Sequence, residues 1–238
     1  MRTRWKGCAA AAMLTAAAMA GFWVWAQPAD QLGARVVSRG FPRDKEIAIT
    51  FDDGPHPVTT ALLLDILKRS NVKATFFVVG RMAEQYPELL RRIRASGHQI
   101  ACHTYSHSNL AGKTEQQTMK ELAMWEEAVD KVVGRGSRYL RPPGGNYSRE
   151  TISVVRKRGY VLTLWSVNPG DWSRAAPARL IQCVQGKAHP GAVVLMHDDG
   201  MNTVQALPTI LKRLRADGYR FVTVDELAGR AGAPPGAL

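Results

Sequence analysis

Thr50-Phe51-Asp52-Asp53-Gly54-Pro55 is the stretch from which the fold of this 238-residue chain can first be predicted. It ends an apolar run, residues 46–51, whose length and composition predict a buried β-strand. The Gly-Pro pair then predicts a turn. Because neighbouring strand residues point to opposite sides, we expect Asp52 and Asp53 to face different surroundings. Taken alone, this sequence is more typical of a turn whose carboxylates cap loop amides.

Short apolar segments alternate with amphipathic helical segments along the rest of the chain. The predicted strands are residues 46–51, 74–79, 99–102, 139–141, 161–166, 192–196 and 220–224. The predicted helices are residues 59–70, 82–96, 114–133, 149–158, 176–185 and 203–217. Seven such repeats predict an α/β fold with a parallel sheet. Because no Gly-x-Gly-x-x-Gly follows the first strand, we expect a distorted (β/α)7-type barrel in a single domain.

The polar residues that could carry chemistry lie at or just after the carboxyl ends of these strands. They are Asp52, Asp53, His103, His107, Arg141, Asp171 and His197. Active sites of (β/α) barrels are built on that face. The pattern therefore predicts one site at the carboxyl-terminal edge of the barrel.

His103 and His107 have a spacing that is common among metal ligands. On a single helical turn their rings would share a face. A carboxylate with two imidazoles suits zinc or a similar divalent ion and leaves coordination positions open. The second carboxylate of the Asp52-Asp53 pair is then a candidate base. Together these residues indicate hydrolysis by water that a metal ion activates.

Five motifs of the chain, in their order and spacing, resemble those of the NodB-homology polysaccharide deacetylases, carbohydrate esterase family 4. The motifs are residues 50–55, 103–107, 141–145, 168–172 and 195–197. The resemblance covers about residues 44–228. It implies the barrel fold of that family and a metal-dependent deacetylase activity.

The resemblance also implies a role for each motif residue. Asp53, His103 and His107 would hold the metal, usually Zn²⁺, with Co²⁺ or Ni²⁺ as possible alternatives. Asp52 would be the general base, and Arg141 would pair with it and hold its position. A neighbouring guanidinium would also keep such a base ionised.

On the other side of the site, His197 would be the general acid that protonates the leaving amine, and Asp171 would orient it. A carboxylate partner raises the pKa of a histidine, as this role requires. Trp172 and Leu195 would wall the acetyl pocket. The backbone amide of Gly144 would join the metal in stabilising the oxyanion.

Four positions near the motifs leave substrate preference open. Gly144 stands where the family often has a bulky residue, commonly Tyr, and Asn168 stands where the fourth motif usually begins with Asp. The expected contact at Gly144 uses only its backbone, so the oxyanion site can survive. Asp198 and Asp199 follow the acid and either contact substrate or cap the next helix.

The first 26 residues differ in composition from the rest of the chain. Three basic residues within positions 2–6 precede an uncharged stretch, residues 7–26, rich in Ala and Met. This arrangement predicts a signal peptide, but the segment is also nearly long enough to be an N-terminal membrane anchor. Either interpretation places the globular part outside the cytoplasm. It would be secreted, periplasmic or anchored to the outer face of the cytoplasmic membrane.

One domain is predicted for residues 44–228, with residues 27–43 as an approach segment and residues 229–238 as a disordered tail. Without the three basic residues near the start, 29 of the 32 Lys and Arg remain against 20 Asp and Glu. Such a charge suits an anionic envelope polymer, and no nucleic-acid motif is present. Cys102 and Cys183 could pair, but we interpret them as isolated buried thiols. We expect a monomer.

These observations predict an enzyme that removes N-acetyl groups from N-acetylglucosamine units of a wall or extracellular polysaccharide. The products would be a free amine on the sugar and acetate. One alternative is an O-acetyl esterase that acts on xylan or a similar glycan. The other is a catalytically inactive glycan-binding barrel, whose usual mark would be loss of the base or the acid. Asp52 and His197 are both present here.

Overall fold

A computed structural model describes residues 33–40 and 45–230. The predicted signal peptide or anchor, most of the approach segment and nearly all of the predicted tail lie outside these residues. In the part of the chain that the structure describes, no helix is long and apolar enough to cross a membrane.

The strands form one sheet that curls into a distorted barrel. They are β1 Val36–Val37, β2 Glu46–Asp52, β3 Thr75–Val78, β4 Gln99–Cys102, β5 Tyr139–Leu140, β6 Val161–Thr163, β7 Ala192–His197 and β8 Arg220–Val222. All pairings between these strands are parallel, in the order β1-β6-β5-β4-β3-β2-β7. β8 pairs with the amino-terminal half of β2, and β3 pairs with the carboxyl-terminal half.

The ring closes beyond the end of β6. Val167, beyond β6, forms a parallel bridge with Val194 of β7, and Arg39, beyond β1, forms an antiparallel bridge with Ala192, so the sheet closes on β7. The distorted barrel expected from the sequence is therefore confirmed. β1 was not predicted. Its two β-branched valines pair with Leu162 and Thr163 along the remaining edge of β6.

Seven of the eight described helices cover the outside of the sheet, and the last packs against the core inside the barrel. In chain order the eight are α1 Thr59–Arg69, α2 Gly80–Gln85, α3 Pro87–Ala95, α4 Glu115–Val133, α5 Arg149–Lys157, α6 Pro177–Lys187, α7 Met201–Ala216 and α8 Val224–Arg230. The single helix predicted for residues 82–96 is wrong, because it divides at Tyr86. Pro87 has no N–H to continue a helix and instead occupies the first position of α3.

The predicted last strand ends too late, since β8 stops at Val222 and α8 begins at Val224. Thr223 and Glu226 form a reciprocal cap. The Thr223 N–H donates to Glu226 Oε2 at 2.7 Å, and the Glu226 N–H donates to Thr223 Oγ1 at 3.3 Å. Thr-x-x-Glu is the sequence signature of a capping box. The signal for α8 was therefore present in the sequence and was missed.

Alternation along β2 explains how a polar site forms above an apolar core. All seven residues of β2 are buried. Its outward-facing side chains are Ile47, Ile49 and Phe51. They pack with the surrounding helices in the main core. Ala48 belongs instead to the smaller core inside the barrel. Thr50 and Asp52 share the parity of Ala48, so they project into the barrel at its carboxyl-terminal end.

The two predicted thiols are free, as interpreted from the sequence. Cys102 is buried at the end of β4, and Cys183 is half-buried in α6. The Cys183 thiol lies 3.6 Å from the carbonyl oxygen of Asn168. Among the described residues neither thiol is therefore part of a disulfide, and of the two only Cys102 is fully buried.

Candidate active site

The predicted catalytic and metal-binding residues meet at the carboxyl-terminal edge of the barrel. Asp52 is the last residue of β2 and is in register with His197, the last residue of β7. His103 follows β4, and Arg141 follows β5. Parallel strands end at the same edge of a sheet, so residues distant in sequence converge there.

Asp53, His103 and His107, here called the metal triad, are the candidate ligands of a metal ion. Their ligand atoms all lie within 4.8 Å of one another. Asp53 Oδ1 is 3.3 Å from His103 Nε2 and 3.0 Å from His107 Nε2. Ligands of a tetrahedral zinc site with bonds of about 2.0–2.1 Å are separated by about 3.4 Å. The spacing therefore matches such a site.

Two further observations fit a bound cation. Asp53 Oδ1 is buried and has no hydrogen-bond partner among the described residues. His103 Nδ1 donates to the carbonyl oxygen of Arg141 at 2.7 Å, which leaves the lone pair of Nε2 facing the triad. Burial alone would raise the pKa of Asp53, but in the absence of metal the two neighbouring imidazoles, when protonated, lower it well below its ordinary value. The carboxylate is thus ionised, as a ligand must be.

The expectation that Asp52 and Asp53 point to opposite sides is wrong. Asp52 Oδ2 lies 3.8 Å from His103 Nε2, and Asp53 Oδ1 lies 3.3 Å from the same atom. The reason is that β2 ends at Asp52, and Asp53 takes a left-handed backbone conformation with φ 80°. Strand alternation no longer applies there. The two carboxylates still differ in surroundings, since Asp52 is buried and Asp53 is partly exposed.

A helical turn is not what brings the two histidines together. Residues 103–107 form an irregular loop, with φ 64° at Thr104 and 60° at His107. The imidazole ring centroids are nevertheless 5.1 Å apart. Left-handed conformations are unfavourable for residues other than glycine, and the surrounding structure must hold them.

Arg141 supports Asp52 from inside the barrel. Its guanidinium is fully buried, and Nη1 donates to Asp52 Oδ1 at 2.6 Å and to Thr50 Oγ1 at 2.8 Å. Nη2 donates to the carbonyl oxygen of Leu164 at 3.1 Å, and the guanidinium stacks 4.0 Å above the Phe77 ring. These contacts hold the cation in one position, so they also orient the Asp52 carboxylate.

Asp171 supports His197 in a similar way. His197 Nδ1 donates to Asp171 Oδ1 at 2.8 Å, and the His197 backbone N–H donates to Asp171 Oδ2 at 2.7 Å. Burial lowers the pKa of His197, but the hydrogen bond and charge of Asp171, together with the charges of Asp52 and Asp53, raise it to about 9. His197 is therefore protonated at neutral pH and can donate a proton.

Sequence reasoning missed two residues that hold Asp171. Thr203 Oγ1 donates to Asp171 Oδ2 at 2.7 Å, and Asn202 Nδ2 donates to the Asp171 carbonyl oxygen at 2.9 Å. Both lie at the start of α7. No pattern in the sequence links residues 171 and 203. Only a position near a predicted helix start could have drawn attention to them.

Asp171→Asn is expected to lower the pKa of His197, because asparagine removes the charge that holds the imidazolium. The pKa should fall from about 9, since the hydrogen bond and charge of Asp171 are lost while burial still lowers it and only the charges of Asp52 and Asp53 still raise it. NMR titration of the His197 ring in metal-free protein measures this. Asp199→Asn is the matched control, because Asp199 is exposed and close in sequence. An unchanged pKa in Asp171→Asn would contradict the assignment.

Asp198 neither caps α7 nor lies at the surface. Its side chain is buried, and Thr60 Oγ1 donates to Asp198 Oδ2 at 2.6 Å. A Cβ at Gly54 would come within 1.9 Å of the same oxygen, so only glycine fits there. Burial raises the pKa of Asp198 to about 8. Asp198 therefore packs directly beneath the turn that follows Asp53.

The predicted substrate-binding residues differ in exposure. Trp172 is 68% exposed beside Asp171, whereas Leu195 is buried in β7 two residues before His197. Gly144 is exposed and has φ 65°, a conformation that favours glycine. Asn168 Oδ1 accepts the N–H of Gly170 at 2.8 Å, so its role here is to shape the loop before Asp171.

Comparison with known proteins agrees with this geometry. The family model described as Polysaccharide deacetylase matches residues 39–163. A peptidoglycan-N-acetylglucosamine deacetylase of Bacillus cereus is 36% identical over 186 residues, which are 76% of this chain and 68% of that protein. PgdA of Listeria monocytogenes, also a peptidoglycan-N-acetylglucosamine deacetylase, is 39% identical over 186 residues. That match covers 78% of this chain but only 39% of PgdA.

A solved structure shows the same architecture. The Bc1960 peptidoglycan N-acetylglucosamine deacetylase superposes with a TM-score of 0.82 at 34% sequence identity. The superposition covers 85% of this chain and 97% of that one. The sequence match, the common fold and the metal triad agree with one another. The chain belongs to the polysaccharide deacetylase family.

Proposed function

We propose that this chain is an exported, metal-dependent hydrolase acting on N-acetylglucosamine units of peptidoglycan or a chitin-like polysaccharide, with release of acetate. One observation carries the proposal. The metal triad lies beside two side chains that charged partners hold in position. Arg141 pairs with Asp52, and Asp171 pairs with His197. The substrates named for the bacterial relatives support N-acetylglucosamine as the sugar.

Asp52 is the proposed general base. A divalent ion in the metal triad, most simply Zn²⁺, would supply a Lewis acid that polarises the acetyl carbonyl and activates a water molecule. Arg141 engages Asp52 Oδ1, so Oδ2 is the oxygen left to accept a proton from the attacking water. Oδ2 faces the triad, 3.8 Å from His103 Nε2.

His197 is the proposed general acid. Nδ1 is committed to Asp171, so the proton on Nε2 is the one available to the leaving nitrogen. Its transfer accompanies cleavage of the carbon–nitrogen bond and lets the sugar leave as a neutral amine. Because the pKa of His197 is raised to about 9, the imidazole starts protonated at neutral pH.

The acetyl group and sugar would contact three residues around this centre. The backbone N–H of Gly144 is the proposed second donor to the developing oxyanion. Trp172 offers a largely exposed ring to the sugar, and Leu195 contributes an apolar wall to the acetyl pocket. No side chain at Gly144 narrows the rim, so this position is expected to influence substrate preference.

Acetate release from three substrates tests the function and its alternatives. The purified protein is stripped with a chelator and assayed with Zn²⁺, Co²⁺ or Ni²⁺ on peptidoglycan, chito-oligosaccharide and acetylxylan. We expect no turnover without metal and recovery on an N-acetylated substrate. Turnover of acetylxylan alone would favour the O-acetyl esterase. Tight glycan binding without acetate release under any condition would favour the inactive barrel.

A further inference from the structure

The loop that carries both histidines of the metal triad has an unfavourable backbone conformation. Between β4 and α4, Thr104 and His107 both have positive φ values. Each such conformation costs about 1–3 kcal/mol and persists only where contacts over-determine it. The contacts that hold this loop therefore also decide where the His107 imidazole points.

Glu121 supplies most of the side-chain contacts to this loop. It lies in the second turn of α4, and its Oε2 accepts the backbone N–H groups of Tyr105 at 3.1 Å and Ser106 at 2.9 Å. Its Oε1 accepts the hydroxyls of Ser106 at 2.7 Å and Ser108 at 3.3 Å. One carboxylate thus receives four hydrogen bonds from three consecutive or near-consecutive loop residues.

The chemistry of these contacts requires a carboxylate. All four groups that face Glu121 donate, and only an ionised acid offers two acceptor oxygens without a donor of its own. The side chain is 14% exposed, so water cannot fully replace it. Lys113 Nζ, 3.9 Å from Oε1, adds a compensating positive charge.

α2 holds the opposite side of the loop, mainly through backbone hydrogen bonds. The N–H of Gly80 donates to the Thr104 carbonyl oxygen at 3.0 Å, and the N–H of Arg81 donates to the Tyr105 carbonyl oxygen at 3.0 Å. Glu121 and α2 therefore bind the same short segment of the loop. Glu121 accepts hydrogen bonds from the N–H groups of the loop, and α2 donates to the carbonyl groups of the loop. On the α2 side the Tyr105 hydroxyl also donates to Glu84 Oε2 at 2.8 Å, but this exposed contact holds the Tyr105 side chain rather than the loop backbone.

We propose that Glu121 is a positioning residue for the metal triad: it holds the 103–108 loop in the conformation that aims His107 Nε2 at Asp53. The inference rests on the proposed function, because it takes the triad to be the metal site. Glu121 has no predicted contact with substrate or metal and acts only through the loop. Residues that orient metal ligands from outside typically change metal affinity by about 10–100-fold when they are replaced.

Metal affinity of Glu121 variants tests this inference without any substrate. Zn²⁺ binding to stripped protein is measured by calorimetric titration, and Co²⁺ absorption spectra report the ligand geometry. We expect Kd to rise about tenfold in Glu121→Gln, which keeps one acceptor oxygen, and up to about 100-fold in Glu121→Ala. The Co²⁺ spectrum should change in the same order.

Glu127→Gln is the matched control, because Glu127 lies on the exposed side of α4 and pairs only with Lys131. Its Kd and spectrum should equal those of the wild type. If Glu121→Ala does not fold, Glu121→Gln and Ser106→Ala, which removes one donor, give the same ordering. A wild-type Kd and spectrum in folded Glu121 variants would overturn the inference. Absence of metal binding by the wild type would instead overturn the proposed metal site.

Discussion

Asp52→Asn is expected to slow acetate release by about 10²–10⁴-fold, because asparagine cannot accept a proton from the attacking water. Zn²⁺ affinity should stay close to that of the wild type, since Asp52 is not part of the metal triad. The measurements are kcat on chito-oligosaccharide at saturating Zn²⁺ and Kd for Zn²⁺ by calorimetry. Loss of turnover with retained metal separates a base from a ligand.

Asp53→Asn is the comparison variant for Asp52→Asn. Asp53 Oδ1 lies close to both imidazoles, so its loss should weaken Zn²⁺ binding as well as turnover. Asparagine at position 52 leaves the buried Arg141 without its charged partner, and unpairing a buried charge costs about 3–5 kcal/mol. Turnover is therefore measured well below the Tm of each variant. Wild-type turnover in Asp52→Asn would contradict the proposed mechanism.

His197→Ala is expected to lower turnover of the N-acetyl substrate by about 10²–10⁴-fold while hardly affecting an activated aryl acetate. An amine must be protonated to leave, whereas a stabilised phenolate leaves without a proton. The ratio of kcat values for chito-oligosaccharide and aryl acetate measures this difference directly. The contrast is specific to a general acid, because a structural defect would reduce both reactions.

His189→Ala is the control for the His197 variant. His189 is partly exposed, and its Nδ1 lies 3.0 Å from the carbonyl oxygen of the next residue, Pro190. It precedes the amino-terminal end of β7, whereas His197 is at the carboxyl-terminal end, and its removal should leave both reactions unchanged. Equal losses on the amide and the aryl ester in His197→Ala would mean that His197 holds the site together rather than donating a proton.

Most of the barrel could be predicted from local patterns. Parallel strands that are buried on both sides appear in the sequence as short apolar runs. The predicted bounds of β2, β4 and β7 are therefore close to the observed ones. The errors in the predicted helix and strand bounds occur where one or two residues begin or end an element within a continuous hydrophobic pattern. Tyr86-Pro87 divides a continuous amphipathic segment, and the Thr223–Glu226 cap begins a helix within a predicted strand.

Residue types and the order of predicted strands were enough to predict which residues could do chemistry and at which edge of the barrel they would meet. That much follows from residue types and from the parallel order of the strands, both of which are local properties. Recognition of the five motifs then assigned a role to each residue. The same information left open how Asp52 and Asp53 are directed.

Those directions, and the groups that maintain them, depend on the packing of the folded chain. The left-handed backbone at Asp53 turns its carboxylate toward His103, which the Asp52 carboxylate at the end of β2 also faces. Glu121 and Thr203 reach the site from helices that are distant in sequence from the residues they hold. Such contacts depend on how helices pack against the barrel, and the energy that sustains a strained loop comes from that packing. No pattern along the chain encodes it locally.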